Sequence, residues 1–104
     1  MLTIKEIIDR LQKEDPEKTL KLGWDDYCSS VANYSELGLI EKENARICDM
    51  VSVLKHAIGK TLDGYKGGKN LMEENTFVHI TDDYSRSGDE LTERLLEYII
   101  KDEA

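Results

Sequence analysis

Apolar residues recur at helical spacing near both ends and in the middle of the chain, and the intervals between are harder to pattern. Ile4, Ile7, Ile8 and Leu11 form an i, i+3, i+4, i+7 stripe, preceded by Thr3 with Glu6 three residues on, the sequence mark of a capping box. This predicts a first helix over residues 3–14, ended by Asp15-Pro16, because the residue before proline disfavours helical geometry. Ile47, Met50, Val51, Leu54, Ala57, Ile58 and Leu62 extend a 3.6-residue stripe, predicting a long central helix over about 42–62 with Gly64 as its left-handed stop. Leu91, Leu95, Tyr98 and Ile99 predict a last helix ending near Lys101, with Ser87 and Glu90 reading as a second capping box. Thr76–Thr81 is rich in β-branched and aromatic residues and predicts a strand.

Residues 17–39 carry no sustained period. Leu20, Leu22 and Trp24 alternate as a short strand would, and the run from Asp25 to Ser35 reads as a polar loop anchored by Tyr27 and Tyr34. The expected fold class is α+β: three helices with a short two- or three-stranded sheet, in one small domain over residues 1–104. The first helix either completes the core or swaps onto a neighbour.

Charge narrows the function classes. The 104 residues hold 22 Asp plus Glu against 14 Lys plus Arg, a net charge of -8. That sign disfavours direct contact with nucleic acid or an anionic membrane, both of which need cationic surface. No apolar run reaches the length of a membrane span. Cys28 and Cys48, without a secretory signal, are expected to be reduced thiols.

One segment runs against the acidic background. Residues 55–70 carry four Lys and one Asp, a local charge of +3 that leaves -11 for the rest. Within them Gly64-Tyr65-Lys66-Gly67-Gly68-Lys69-Asn70 places three glycines among two lysines and a tyrosine. Glycines permit positive φ and close backbone approach, so the turn suits either a helix C-cap or contact with a phosphate or carboxylate. It is not a Walker loop, which opens a helix with Gly-Lys-Ser/Thr. Tyr84, Ser85, Arg86, Ser87 and Gly88 form a second candidate, with Arg86 expected just before a helix N-terminus. Should the two segments meet, Tyr65, Lys66, Gly67, Gly68, Lys69, Tyr84 and Arg86 would make a composite ligand site.

Other chemistry is sparse. His56 and His79 show no metal or hydrolase spacing, no Cys-x-x-Cys occurs, and Glu73-Glu74 and Asp82-Asp83 read as solvated charge. No enzyme, cofactor or metal is expected.

With these segments in view, the chain resembles a family of small proteins encoded by tailed bacteriophages. The resemblance rests on Tyr34 with Glu36-Leu37, Glu43-Asn44, Gly59-Lys60-Thr61, Gly64-Tyr65-Lys66-Gly67-Gly68, Met72, Glu74, Thr76, Tyr84 and Gly88. It implies an accessory protein acting in the host bacterial cytoplasm. Combined with the basic turn, this gives the expectation of an anti-defence binding protein that sequesters a small anionic ligand, such as a host nucleotide signal, without catalysis. The alternative is an acidic inhibitor of a host nucleic-acid-binding enzyme, presenting Glu41, Glu43, Asp49, Asp89, Glu90, Glu93 and Glu97. In either case a small core favours a homo-oligomer.

Overall fold

The computed structural model describes residues 1–64 and 67–104 and is α+β. Three helices, α1 (Ile4–Leu11), α2 (Ile47–Ala57) and α3 (Glu93–Lys101), accompany β1 (Thr19–Ser29), β2 (Leu37–Arg46), β3 (Thr61–Asp63), β4 (Lys69–Leu71), β5 (Val78–Thr81) and β6 (Asp89–Glu90). The main sheet has four strands in the order β1-β2-β5-β6, and β3 and β4 form a separate hairpin. β2 runs antiparallel to β1 and parallel to β5, which is in turn antiparallel to β6. The sheet is therefore larger than the two or three strands the sequence suggests.

α1 forms as read. The Thr3 side chain accepts from the Glu6 N–H while the Glu6 carboxylate accepts from the Thr3 N–H, and Ile4, Ile7, Ile8 and Leu11 are buried. They share one core with Trp24, Leu37, Leu39, Met50, Leu54, Val78, Ile80, Leu96 and Ile99. Trp24, fully buried, donates its indole N–H to the Met50 carbonyl at 3.0 Å, which ties β1 to α2.

The central helix is shorter than its stripe. It starts at Ile47, and residues 42–46 belong to β2 instead, where Asn44 adopts a positive φ of 55°. Ile58 is already extended, Gly59 takes the left-handed turn at φ 86°, and Leu62 belongs to β3. Gly64 is consequently not a helix cap. The Ser87–Glu90 capping box is also corrected: Asp89 and Glu90 are strand, and α3 is capped by Thr92, whose side chain accepts from the Leu95 N–H. Gly88 turns the chain into β6 at φ 64°, where a Cβ would overlap the Ile80 carbonyl oxygen. Much of residues 17–39 is likewise strand, not loop: β1 and β2 pair from Thr19↔Arg46 to Ser29↔Leu37.

Arg10 fastens α1 to α3. Its guanidinium meets Glu97 at 2.6 and 3.0 Å and Glu14 at 2.9 Å. Hydrogen bonds from Arg10 hold both carboxyls below the usual range. Carboxylates with depressed folded-state pKa values stabilise fully above their unfolded pKa, about 4.3 for Glu, and lose that contribution as pH falls through the folded value. Arg10→Ala is expected to flatten the acid limb of the stability curve, measured by urea unfolding between about pH 5 and pH 2. Its cost at neutral pH should be small, because these groups remain about a third exposed.

Candidate functional site

The basic turn is a hairpin tip. Asp63 pairs with Lys69, the Gly64 N–H donates to the Gly68 carbonyl, and the Gly67 N–H donates to the Gly64 carbonyl at 3.0 Å. Gly67 sits at φ 87°, in the left-handed region that favours glycine. A Cβ on Gly64 would press on the Tyr34 ring at 3.1 Å, so Gly64 is needed where the β1–β2 loop crosses the hairpin. Gly68 differs: its φ is not left-handed, and no described atom lies within 4 Å of where its Cβ would be. Lys69 is exposed, and Tyr65 and Lys66 lie outside the described residues.

Tyr84 and Arg86 occupy another place. Their loop leaves the sheet after Thr81, which is level with Ile40 and, across β2, with Asp26. The hairpin instead packs at the Tyr34 loop, beyond Leu37, three residues away along β2. Three residues of strand are roughly 10 Å. Arg86 does not precede a helix; it pairs with Asp82 at 3.9 Å. Among the described residues no hydrogen bond or ion pair links Gly67–Asn70 with 82–88, and none of these residues lines the concavities described below.

What the fold gathers is negative charge. Asp25 and Asp26 from β1, Glu41 from β2, Asp82 and Asp83 from the following loop, and Asp89 from β6 lie around one end of β5. The Tyr84 hydroxyl crosses to donate to Asp26 Oδ2, and Asp83 Oδ1 accepts from both the N–H and the hydroxyl of Ser85 at 2.8 Å. Partial desolvation, then Asp82 and Asp89, push the Glu41 carboxyl up. The bond to Asp26 raises the Tyr84 phenol, and bonds from Ser85 lower Asp83. Among the described residues no group of three His, Cys, Asp or Glu side chains is placed to hold a metal ion.

Sequence reasoning missed this face because its members come from four segments, and because Asp25 and Asp26 look like loop residues. They are a β-bulge: the register of β1 against β2 shifts between Trp24 and Asp26. Bulges re-aim side chains, often beside functional sites. Beside this one lies a concavity of about 570 Å³ lined by Asp25, Asp26, Tyr27, Ser52, Val53 and His56. The Tyr27 hydroxyl is 2.8 Å from His56 Nδ1, with the rings tilted at 49° and their centroids 5.8 Å apart. A second concavity of about 520 Å³, between α1 and α2, includes Cys48 and Lys55.

Neither thiol forms a disulfide, and both are partly buried. Burial, then Asp26, push the Cys28 thiol up. The thiolate is the reactive form, so alkylation of native protein should modify two thiols, Cys48 before Cys28. A mass-spectrometric time course checks the order; equal rates would contradict it.

The acidic helix faces expected from sequence are redistributed. Glu41 and Glu43 are on a strand, and Glu97 is engaged by Arg10. No helix among the described residues is long and apolar enough to cross a membrane. A scan against protein-family models, a search of curated proteins and a search of solved structures each return no match.

Proposed function

We propose that the chain is a non-catalytic binding protein whose acidic face docks on the cationic surface of a partner protein. One observation carries this reading: four separate segments bring Asp25, Asp26, Glu41, Asp82, Asp83 and Asp89 to one end of the sheet, where Arg86 pairs with Asp82. Desolvation, then Asp82 and Asp89, push the Glu41 carboxyl up, and a cationic partner would relieve that cost. The resemblance to tailed-phage proteins makes the partner a host protein, and a surface built to receive phosphates, as in a nucleic-acid-binding enzyme, is the natural complement. Inhibition by occupation of that surface follows, in the host cytoplasm.

The test compares proteins captured from bacterial lysate by wild type and by Glu41→Lys/Asp82→Lys/Asp89→Lys, with duplex DNA as competitor. Capture that is lost in the triple variant and displaced by DNA is the expected result. Capture unaffected by both overturns the reading.

A second reading is favoured by Gly68, whose glycine identity nothing in the described structure demands. Contact of the hairpin tip with a small anion, such as a nucleotide signal, would use that open backbone together with Lys66 and Lys69. A thermal-shift screen against nucleotides and cyclic dinucleotides tests it, since a specific ligand raises apparent stability. Lys66→Ala should reduce affinity roughly ten- to a hundredfold, the worth of one charge-assisted hydrogen bond. Equal binding by the variant would return the tip to the role of a turn.

A further inference from the structure

We propose that the concavity beside the β1 bulge is a receptor for an arginine side chain of the partner, with Asp25 as the carboxylate and the Tyr27–His56 pair as the stacking surface. The inference deepens the acidic-face reading and takes its occupant from it, but stands on its own geometry. The concavity is formed between two elements, with Asp25, Asp26 and Tyr27 from β1 facing Ser52, Val53 and His56 from α2. At about 570 Å³ it accommodates a guanidinium with its stem.

Each lining group has a distinct state. Asp26 is occupied within the fold, accepting from the Tyr27 N–H and the Tyr84 hydroxyl. Asp25, the inserted residue of the bulge, makes no hydrogen bond or ion pair among the described residues, and it is exposed. Ser52 is turned back onto the Cys48 carbonyl of its own helix. The Tyr27 hydroxyl and His56 Nδ1 bind each other, which holds both rings in place; Tyr27 packs partly on the core, and His56 is exposed where it lines the concavity. One free carboxylate beside a fixed aromatic pair is matched by a cation that is planar, weakly hydrated and able to donate in the plane of its own stack. Guanidinium has those properties, and an ammonium lacks the plane.

The experiment titrates acetyl-Gly-Arg-Gly-amide into the full chain and follows the Tyr27 and His56 ring resonances by NMR. The same peptide with lysine, and with neutral citrulline, in place of arginine serve as comparisons. Arginine should shift both rings saturably, lysine more weakly, and citrulline at least tenfold more weakly. Asp25→Asn should weaken the arginine peptide roughly tenfold or more, the loss of a charge-assisted bond. Tyr27→Phe keeps the ring but removes its bond to His56 Nδ1, so it should weaken the arginine peptide less than Asp25→Asn does. No response to the arginine peptide, equal response to citrulline, or undiminished binding by Asp25→Asn would overturn the assignment. Failure here is separable from failure of the acidic-face reading, because Glu41, Asp82 and Asp89, reversed in the capture test, do not line this concavity.

Discussion

Leu54→Ala is expected to lower the free energy of unfolding by about 2–5 kcal/mol, the cost of removing a buried leucine and leaving a cavity. Leu54 lies in the middle of α2, fully buried, in one core cluster with Ile7, Leu11, Trp24 and Met50. The helix touches both β1 and α1, so the void would open where three elements meet. Domain stabilities are about 5–15 kcal/mol, so the variant should show a plainly lower midpoint in urea with little change in slope. A midpoint equal to wild type would mean that the core closes around alanine, or that Leu54 is not at its centre.

That prediction was available from sequence, because the α2 stripe is a local property of consecutive residues. Ile47, Met50, Val51, Leu54 and Ala57 all occupy the buried face. The helix ends were less legible, since Ile58 and Leu62 continue the helical period while serving an extended turn and a strand. Nothing in the period distinguishes the two uses; Gly59 with its positive φ is the residue that separates them. The opposite error hid the β1–β2 hairpin. The bulge at Asp25 breaks the alternation that Leu20, Leu22 and Trp24 begin, and Glu41-Lys42-Glu43-Asn44 is exposed throughout, so half of β2 shows no apolar face. Pairing between distant segments is what makes those residues strand, and pairing is not written in either segment alone.

The candidate site divides along the same line. The Gly-rich tip is contiguous and could be found by composition, whereas the acidic face exists only after β1, β2, β5 and β6 assemble. The +3 segment ends in a hairpin whose described tip residues, Gly67–Asn70, line none of the concavities beside the sheet and helices, although Lys55, His56, Ile58 and Gly59 of the same segment do. A cationic partner is inferred from the assembled face, where Asp82 and Asp89 act on Glu41, and not from the local motif.

The other large effect concerns His79, which the sequence offered only as a histidine in a strand. Its Nε2 is 2.8 Å from Glu36 Oε1, with side-chain exposures of 7% and 13%, and among the described residues its Nδ1 has no partner. The pair lies on the sheet face away from Val78 and Ile80, in the row where His79 pairs with Gly38 and Gly38 with Cys28. Glu36 also closes the β1–β2 loop, its carbonyl accepting from Ser30 and its N–H donating to Asn33. Tyr34 in that loop is what packs on Gly64, so the buried pair anchors the surface that seats the Gly-rich hairpin. His79→Leu leaves a buried carboxylate without its hydrogen-bond partner, a loss greater than the cost of a neutral unmade bond, which is about 1–3 kcal/mol. Glu36→Leu leaves the His79 imidazole without its hydrogen-bond partner, so its cost should be about 1–3 kcal/mol, that of an unmade buried hydrogen bond. The double replacement, which leaves neither polar group buried and unpaired, should be less destabilised than His79→Leu alone, because exchanging both partners for apolar groups avoids the desolvation penalty. Urea unfolding of the three variants at neutral pH reads the order directly. If Glu36→Leu proves the more damaging single change, the carboxylate acts chiefly through its loop and not as the partner of His79.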